Sequence, residues 1–259
     1  MLNETKPALP ITVIILTNRT DERLTAAIQS VSWAKSILLI DTVGLPELEQ
    51  FSPNPAIAIK KYPDPPTNNS INFSKIRNWS LQFVATPWVF FLDSDEVVTK
   101  ESVPLITEMV QREGLDGIFV RRRDVFLGRL LQFGEVGNVR LMRLAKKKLI
   151  RFERPVHEIA QVSGNITQSQ ITLYHYSHPS IEEFISKIAT YAYLEAHFRK
   201  QNQEPFSLFE AITFPKGKFL QNYFLWLGLL DGWRGLIYAL MMSLHSLWTR
   251  VWLYELNKK

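Results

Sequence analysis

Three carboxylates close an apolar run in the stretch WVFFLDSDE, residues 88–96: Asp93, Asp95 and Glu96 follow five apolar or aromatic side chains. Like charges so close repel one another and are costly to hold beside a dry core, so a positive partner is expected. A hard divalent cation, magnesium or manganese, would serve, with one aspartate facing a ribose and the other holding the ion. The structural alternative is a turn capped by Asp93, with Asp95 and Glu96 opening the next helix, where carboxylates are favoured.

Other residues of chemical interest are scattered along the chain. KIRN places Arg77 and Asn78 on a helix ahead of the carboxylates. They read either as anion-contacting groups or as a solvated arginine and a local hydrogen-bonder. In RFERPVHE, Glu158 would share one strand face with Val156 and Ala160. It is a lone charge among small apolar neighbours, or half of an ion pair with Arg151 or Arg154. Three of the five histidines are His157, His175 and His178. His175, between tyrosines in LYHYSH, is a candidate ligand or a hydrogen-bonded core residue, and His178 belongs to the turn at Pro179.

The elements that must position these groups follow from the pattern of apolar residues. Ile11 to Leu16 reads as a strand and Thr20 to Trp33 as a helix, with Leu24, Ile28 and Val31 on one side. Ser36 to Ile40 is a second strand ending at Asp41, Ala56 to Ile59 a third, Ser74 to Ala85 a helix and Trp88 to Leu92 the next strand. Strands alternating with helices predict an α/β fold with a mainly parallel sheet, whose ligands gather beyond the carboxyl ends of the strands. Asp41, Asp93 and Asp95 would lie at that edge.

Bulk composition sets the frame. At 259 residues, 46% hydrophobic and 21% charged, the chain can bury an ordinary core. Thirty basic against twenty-five acidic residues leave +5, favouring anionic partners such as phosphates or an acidic membrane surface. With no cysteine, disulfides, cysteine-ligated zinc and thiol catalysis are excluded. The Met-Leu-Asn-Glu start lacks a basic-then-apolar signal pattern, which leads to the expectation of a cytosolic location. Arg121 to Arg123 and Lys146 to Lys148 read as solvated edges; without interleaved aromatic residues they do not predict a nucleic-acid groove.

Taken together, the T-N turn after the first strand (Thr17, Asn18), SVSWAKSILLID, KIRNWSLQFVATPWVFFLDSDE, FLGR, VRLMR, RFERPVHE and LYHYSH resemble the family 2 glycosyltransferases of GT-A fold, and among them the small bacterial lipopolysaccharide-core glucosyltransferase group. The resemblance spans most of the chain. It implies a Rossmann-like, mainly parallel sheet flanked by helices, a C-terminal helical extension, and transfer of a sugar from a nucleotide-activated donor to a glycolipid or cell-envelope saccharide, with inversion and with manganese or magnesium. It further implies that Asp93 contacts the nucleotide sugar, that Asp95 and His175 hold the metal, and that Thr17, Asn18, Asp41, Arg77 and Asn78 line the donor site. Glu158, matching the family's V-H-E, would be the base that takes the acceptor's proton. The chain departs from the family after the second strand, where a Ser/Gly/Thr-rich turn is replaced by IDTVGLPELEQ, keeping Thr42 and Gly44. That departure leaves a catalytically degenerate nucleotide-sugar binder or membrane scaffold as one alternative. A sugar-phosphate nucleotidyltransferase is another, although no glycine-rich phosphate loop supports it.

Three parts are expected: residues 1–179 as the nucleotide-sugar-binding and catalytic domain, 180–215 as a packing helix and connector, and 216–259 as a hydrophobic helical tail. Ser180 and Glu183 form a capping box, and Ile181, Phe184, Ile185, Ile188 and Tyr191 form the apolar stripe behind it. The tail reads as two helices with a bend at Asp231 to Gly235, too interrupted to cross a bilayer. Its tryptophans beside basic residues suit an anionic membrane surface, giving a peripheral protein at the inner face of the cytoplasmic membrane. Closure over the catalytic domain, or a homodimer contact, is the alternative.

Overall fold

The computed structural model describes residues 8–64, 72–154, 159–178 and 180–258. The chain divides into two compact units, Met1–Arg122 with Arg140–His175, and Arg123–Val139 with Tyr176–Lys259. Residues 180–215 and 216–259 share one unit, which 123–139 also joins.

The first unit is α/β, as expected. Its strands β1 (Leu9–Thr17), β2 (Ala34–Asp41), β3 (Ile57–Lys61) and β4 (Trp88–Asp93) form a parallel block in the order β3-β2-β1-β4. In β1, all seven residues from Ile11 to Thr17 are buried, as required of a central parallel strand covered on both faces. The pleat sends Ile11, Val13 and Ile15 to one face and Ile14 and Leu16 to the other. The first set packs on Leu24, Ala27 and Ile28 of helix α1 (Glu22–Ser30), the second on Ile76 of α2 (Phe73–Ser80). Asp21 caps α1 by accepting from the amides of Arg23 and Leu24.

Beyond β4 come β5 (Glu96–Val98), α3 (Ser102–Gln111), β6 (Gly117–Phe126), β7 (Arg129–Leu130), β8 (Val139–Lys146), β9 (Ile150–Glu153), β10 (Ile159–Val162) and β11 (Ile166–His178). Here pairing is no longer parallel throughout: β8 runs antiparallel to β4, and β11 antiparallel to β5. β9 and β10 form a separate antiparallel pair.

The second unit is built on α4 (Ile181–Gln201), α5 (Leu208–Leu220) and α6 (Trp233–Lys258), with a π-turn at Gln221–Leu225 and a 3-10 turn at Gly228–Asp231 between the last two. Ser180 caps α4 through the Glu183 amide, as the sequence predicts. The buried face of α4 is Phe184, Ile188, Ala192 and Ala196, whereas Ile185 and Tyr191 of the expected stripe are exposed. Two alanines on that face admit close packing of α6 against α4.

Candidate active site

The register of the parallel block brings three strand ends together. Thr17 pairs with Asp41 and Leu16 with Asp93, so the ends of β1, β2 and β4 form one edge, as the strand pattern predicts. Thr17 stitches its end to β2: its carbonyl accepts from the Thr42 amide at 3.1 Å and from the Thr42 hydroxyl at 2.9 Å. Asn18 follows, exposed.

Asp41 is 5% exposed, and both of its carboxylate oxygens are engaged by backbone amides. They accept from the amides of Val43 at 3.0 Å, Gly44 at 2.7 Å and Leu45 at 2.8 Å. The carboxylate therefore folds the TVGL turn around itself. Gly44 at φ +88° supplies the left-handed residue that this turn needs.

At Asp93 the positive partner demanded by the sequence is a pair of arginines. Arg77 of α2 reaches Asp93 Oδ1 at 2.6 Å, and Arg143 of β8 reaches Oδ2 at 2.5 Å. The same Nη2 of Arg143 donates to Glu96 Oε1 at 2.8 Å, while Glu96 Oε2 accepts from the Asp93 amide at 3.0 Å. Arg77 is 2% exposed, its guanidinium 5.5 Å from the Phe91 and Phe152 rings, and Glu96 is fully buried. For this part of the cluster, guanidinium groups supply the positive charge.

The environment drives the two carboxyls apart. Burial pushes Asp93 up, but the adjacent charges and hydrogen bonds of Arg143 and Arg77 outweigh it and hold the group well below the usual carboxylate range. Burial pushes Glu96 up as well, and there the Asp93 charge adds to the rise while Arg143 opposes it.

Asp95 has a different neighbour. His175 of β11 stands opposite Glu96 in the β11–β5 ladder, which sets its Nε2 3.6 Å from Asp95 Oδ1. The Asp95 carboxylate is the oxygen donor that manganese or magnesium prefers, whereas the His175 imidazole is a softer donor that magnesium takes less readily than manganese. No group of three His, Cys, Asp or Glu side chains that could hold a metal ion occurs among the described residues.

Asn78 is committed to the fold. Its amide donates to the Phe152 carbonyl at 2.8 Å and its oxygen accepts from the Phe152 amide at 2.9 Å. Ser74 adds bonds to the carbonyls of Glu153 and Arg154, so α2 is pinned to the end of β9. Glu158, the expected base, lies outside the described residues, as do His157 and Val156.

The sequence reading gave no role to Arg143 or to the burial of Glu96. Their signal is present in VRLMR: Arg143 sits between Met142 and Leu144, both buried. A charge inside such a strand needs an ionic partner.

No protein-family model matches the sequence. The chain is similar to crystal structures of S. aureus TarS residues 1–349: with UDP bound, 14% identity and TM-score 0.46, and with UDP-GlcNAc bound, 14% and 0.47, each covering 96% of this chain and 91% of that one. Over 251 residues, 92% of either chain, it is 24% identical to the lipopolysaccharide core biosynthesis glycosyltransferase LpsC of Rhizobium meliloti (strain 1021), and the glycosyltransferase resemblance carried by the sequence motifs is thereby a resemblance over nearly the whole chain.

Proposed function

We propose that the protein is a glycosyltransferase that moves a sugar from a nucleotide-activated donor to a saccharide or glycolipid acceptor of the cell envelope, with inversion. The observation that carries this reading is the gathering of Asp93, Asp95, Arg77, Arg143 and His175 around the end of β4, at the edge where α/β folds bind ligands, in a chain similar to LpsC over nearly its full length.

Each group has a task in that reaction. Arg77 and Arg143 keep Asp93 ionised, and its side chain, 33% exposed, can accept from hydroxyls of the donor. Asp95 and His175 would hold manganese or magnesium, which when bound offsets charge on the departing nucleoside diphosphate. Glu158 takes the acceptor hydroxyl's proton as that oxygen bonds to the anomeric carbon and the bond to the diphosphate breaks. The turn held by Asp41 borders the same edge. Its three amides are occupied by that carboxylate, so this turn, where the chain departs from the family's pattern, offers a nucleotide fewer contacts; the second reading, a donor binder without transfer, rests on that departure.

Thermal melts with a panel of nucleoside diphosphates, with and without manganese, together with product formation from the matching sugar donors, test the proposal. Stabilisation by one nucleotide plus metal, and product from its sugar, is the expected result. Asp95→Asn should abolish the metal-dependent shift while leaving the unliganded melting temperature in place. Glu158→Gln should keep the shift and lower turnover by about 10²–10⁴-fold. Donor binding without any product would favour the second reading, and neither binding nor product would remove both.

A further inference from the structure

The second unit carries an apolar surface that its own packing leaves uncovered. More than half of the large apolar side chains exposed among the described residues fall between positions 208 and 233. Phe209 of α5 is 74% exposed and Leu225 in the π-turn 75%, with Leu230 and Trp233 more than half open. Exposed apolar area concentrated in one segment marks an interaction site.

The segment is firmly built. Asn222, 1% exposed, accepts from the Glu135 amide at 3.0 Å and donates to the Lys218 carbonyl at 3.1 Å. The Gly134 amide donates to the Trp226 carbonyl at 2.8 Å, and Asp231 accepts from the amides of Gln132 at 3.0 Å and Phe133 at 2.9 Å. Leu227 is held at φ +59°, a conformation that costs a leucine energy. A Cβ on Gly235 would sit 1.9 Å from the Gly228 carbonyl oxygen, so only glycine permits this crossing. These polar contacts fix the turn while its leucines and tryptophan stay in solvent.

Charge on the segment selects the occupant. Both of its carboxylates are engaged, Asp231 with backbone amides and Glu210 3.9 Å from Arg250, and Lys218 is held by Glu135 at 2.5 Å, so the charges left at its edge are cations. Lys216 is exposed, and Arg234 lies 4.4 Å from the Trp233 ring centroid. Leucine and aromatic side chains edged by cations suit the boundary between headgroups and acyl chains of an anionic bilayer. A second copy would set the same two cations, Lys216 and Arg234, at a two-fold contact without adding a carboxylate to answer them. No described helix is long and apolar enough to cross a membrane.

We propose that residues 208–233 seat the protein on an anionic phospholipid surface, α5 and the turns after it entering the headgroup layer. This narrows the surface expected from the sequence. Trp248 packs against the core of the second unit and Trp252 stands edge-on to Tyr193 at 5.2 Å, so neither belongs to the docking face. The proposal is independent of the transferase reading.

Flotation of the full chain with phosphatidylglycerol–phosphatidylcholine vesicles, and with phosphatidylcholine alone, tests it. The chain should float with the anionic vesicles at low salt. The L225E/W226E double variant should lose about tenfold or more in vesicle affinity with an unchanged thermal melt, and Lys216→Glu should weaken binding to the anionic vesicles alone. Phe209→Glu on α5 serves as the second variant if the double one fails to fold. Absence of flotation, or equal flotation of folded variants, overturns the proposal. So does a dimer in light scattering that the double variant dissociates without affecting flotation, which would assign the face to a second copy.

Discussion

Arg143 reaches two carboxylates with one nitrogen, Asp93 at 2.5 Å and Glu96 at 2.8 Å. Replacing it by methionine would leave Glu96 buried without that cation and Asp93 with Arg77 alone. Breaking a buried pair in this way costs about 3–5 kcal/mol, so Arg143→Met should unfold at a clearly lower urea midpoint, with Arg143→Lys recovering only part of the loss because an ammonium lacks the planar fork. The pH dependence carries a second signature. Asp93 is depressed below its ordinary value of 3.8, so the stability it contributes is complete above that value and is lost as pH falls through the folded value. Without Arg143 the depression shrinks, so less stability is left to lose on acidification, and the gap between the urea midpoints of the variant and the parent chain should narrow from about pH 6 to pH 3. An unchanged acid limb would show that Arg143 does not hold Asp93 ionised. The sequence made the carboxylates visible because their types and spacing are local. It did not show which cations answer them, since Arg77 is 16 residues away and Arg143 50.

Among the elements, strand runs such as Ile11 to Leu16 and Trp88 to Leu92 were legible because central parallel strands are apolar on both faces. The antiparallel placement of β8 and of β11 was not, because a strand's partner depends on the whole sheet and not on its own residues. Helix α2 stops at Ser80 and tightens into a 3-10 turn over Leu81–Phe83, short of the expected Ala85. The boundary expected at 216 followed the change to a leucine- and aromatic-rich composition, yet it falls inside α5, which runs through Pro215, whose carbonyl accepts from Ser243 at 2.8 Å. Asn78 shows how an element is aimed: its side chain makes both bonds that a neighbouring strand would make to Phe152, and so holds α2, with Arg77 on it, against β9. Asn78→Ala leaves the Phe152 amide and carbonyl without these partners and should cost about 2 kcal/mol or more. Because Arg77 then loses its footing, donor-dependent stabilisation should weaken as well. A loss of stability with donor binding intact would confine Asn78 to a structural role.

For the whole molecule, the two-unit division decides what removal of the tail would do. Helix α6 packs on both α4 and α5, and Tyr238 joins Phe126, Phe184 and Ile188 in the core of the second unit, where the Phe184 ring stacks on His178 at 3.8 Å. A chain ending at Gly232 therefore loses a central packing partner and uncovers the Phe184, Ile188, Ala192 and Ala196 face of α4. Helices of this kind owe most of their stability to such packing rather than to intrinsic propensity. The truncated chain should lose more far-UV helical signal than the 26 residues of α6 account for, and α4 and α5 should become the first sites of proteolytic cleavage. The first unit, with its own core around β1 and β4, should still melt cooperatively. If helical signal falls only by the share of α6 and proteolysis of α4 is unchanged, α6 is an appendage. In that case the chain ending at Gly232, which keeps almost all of the 208–233 face, should still float with anionic vesicles.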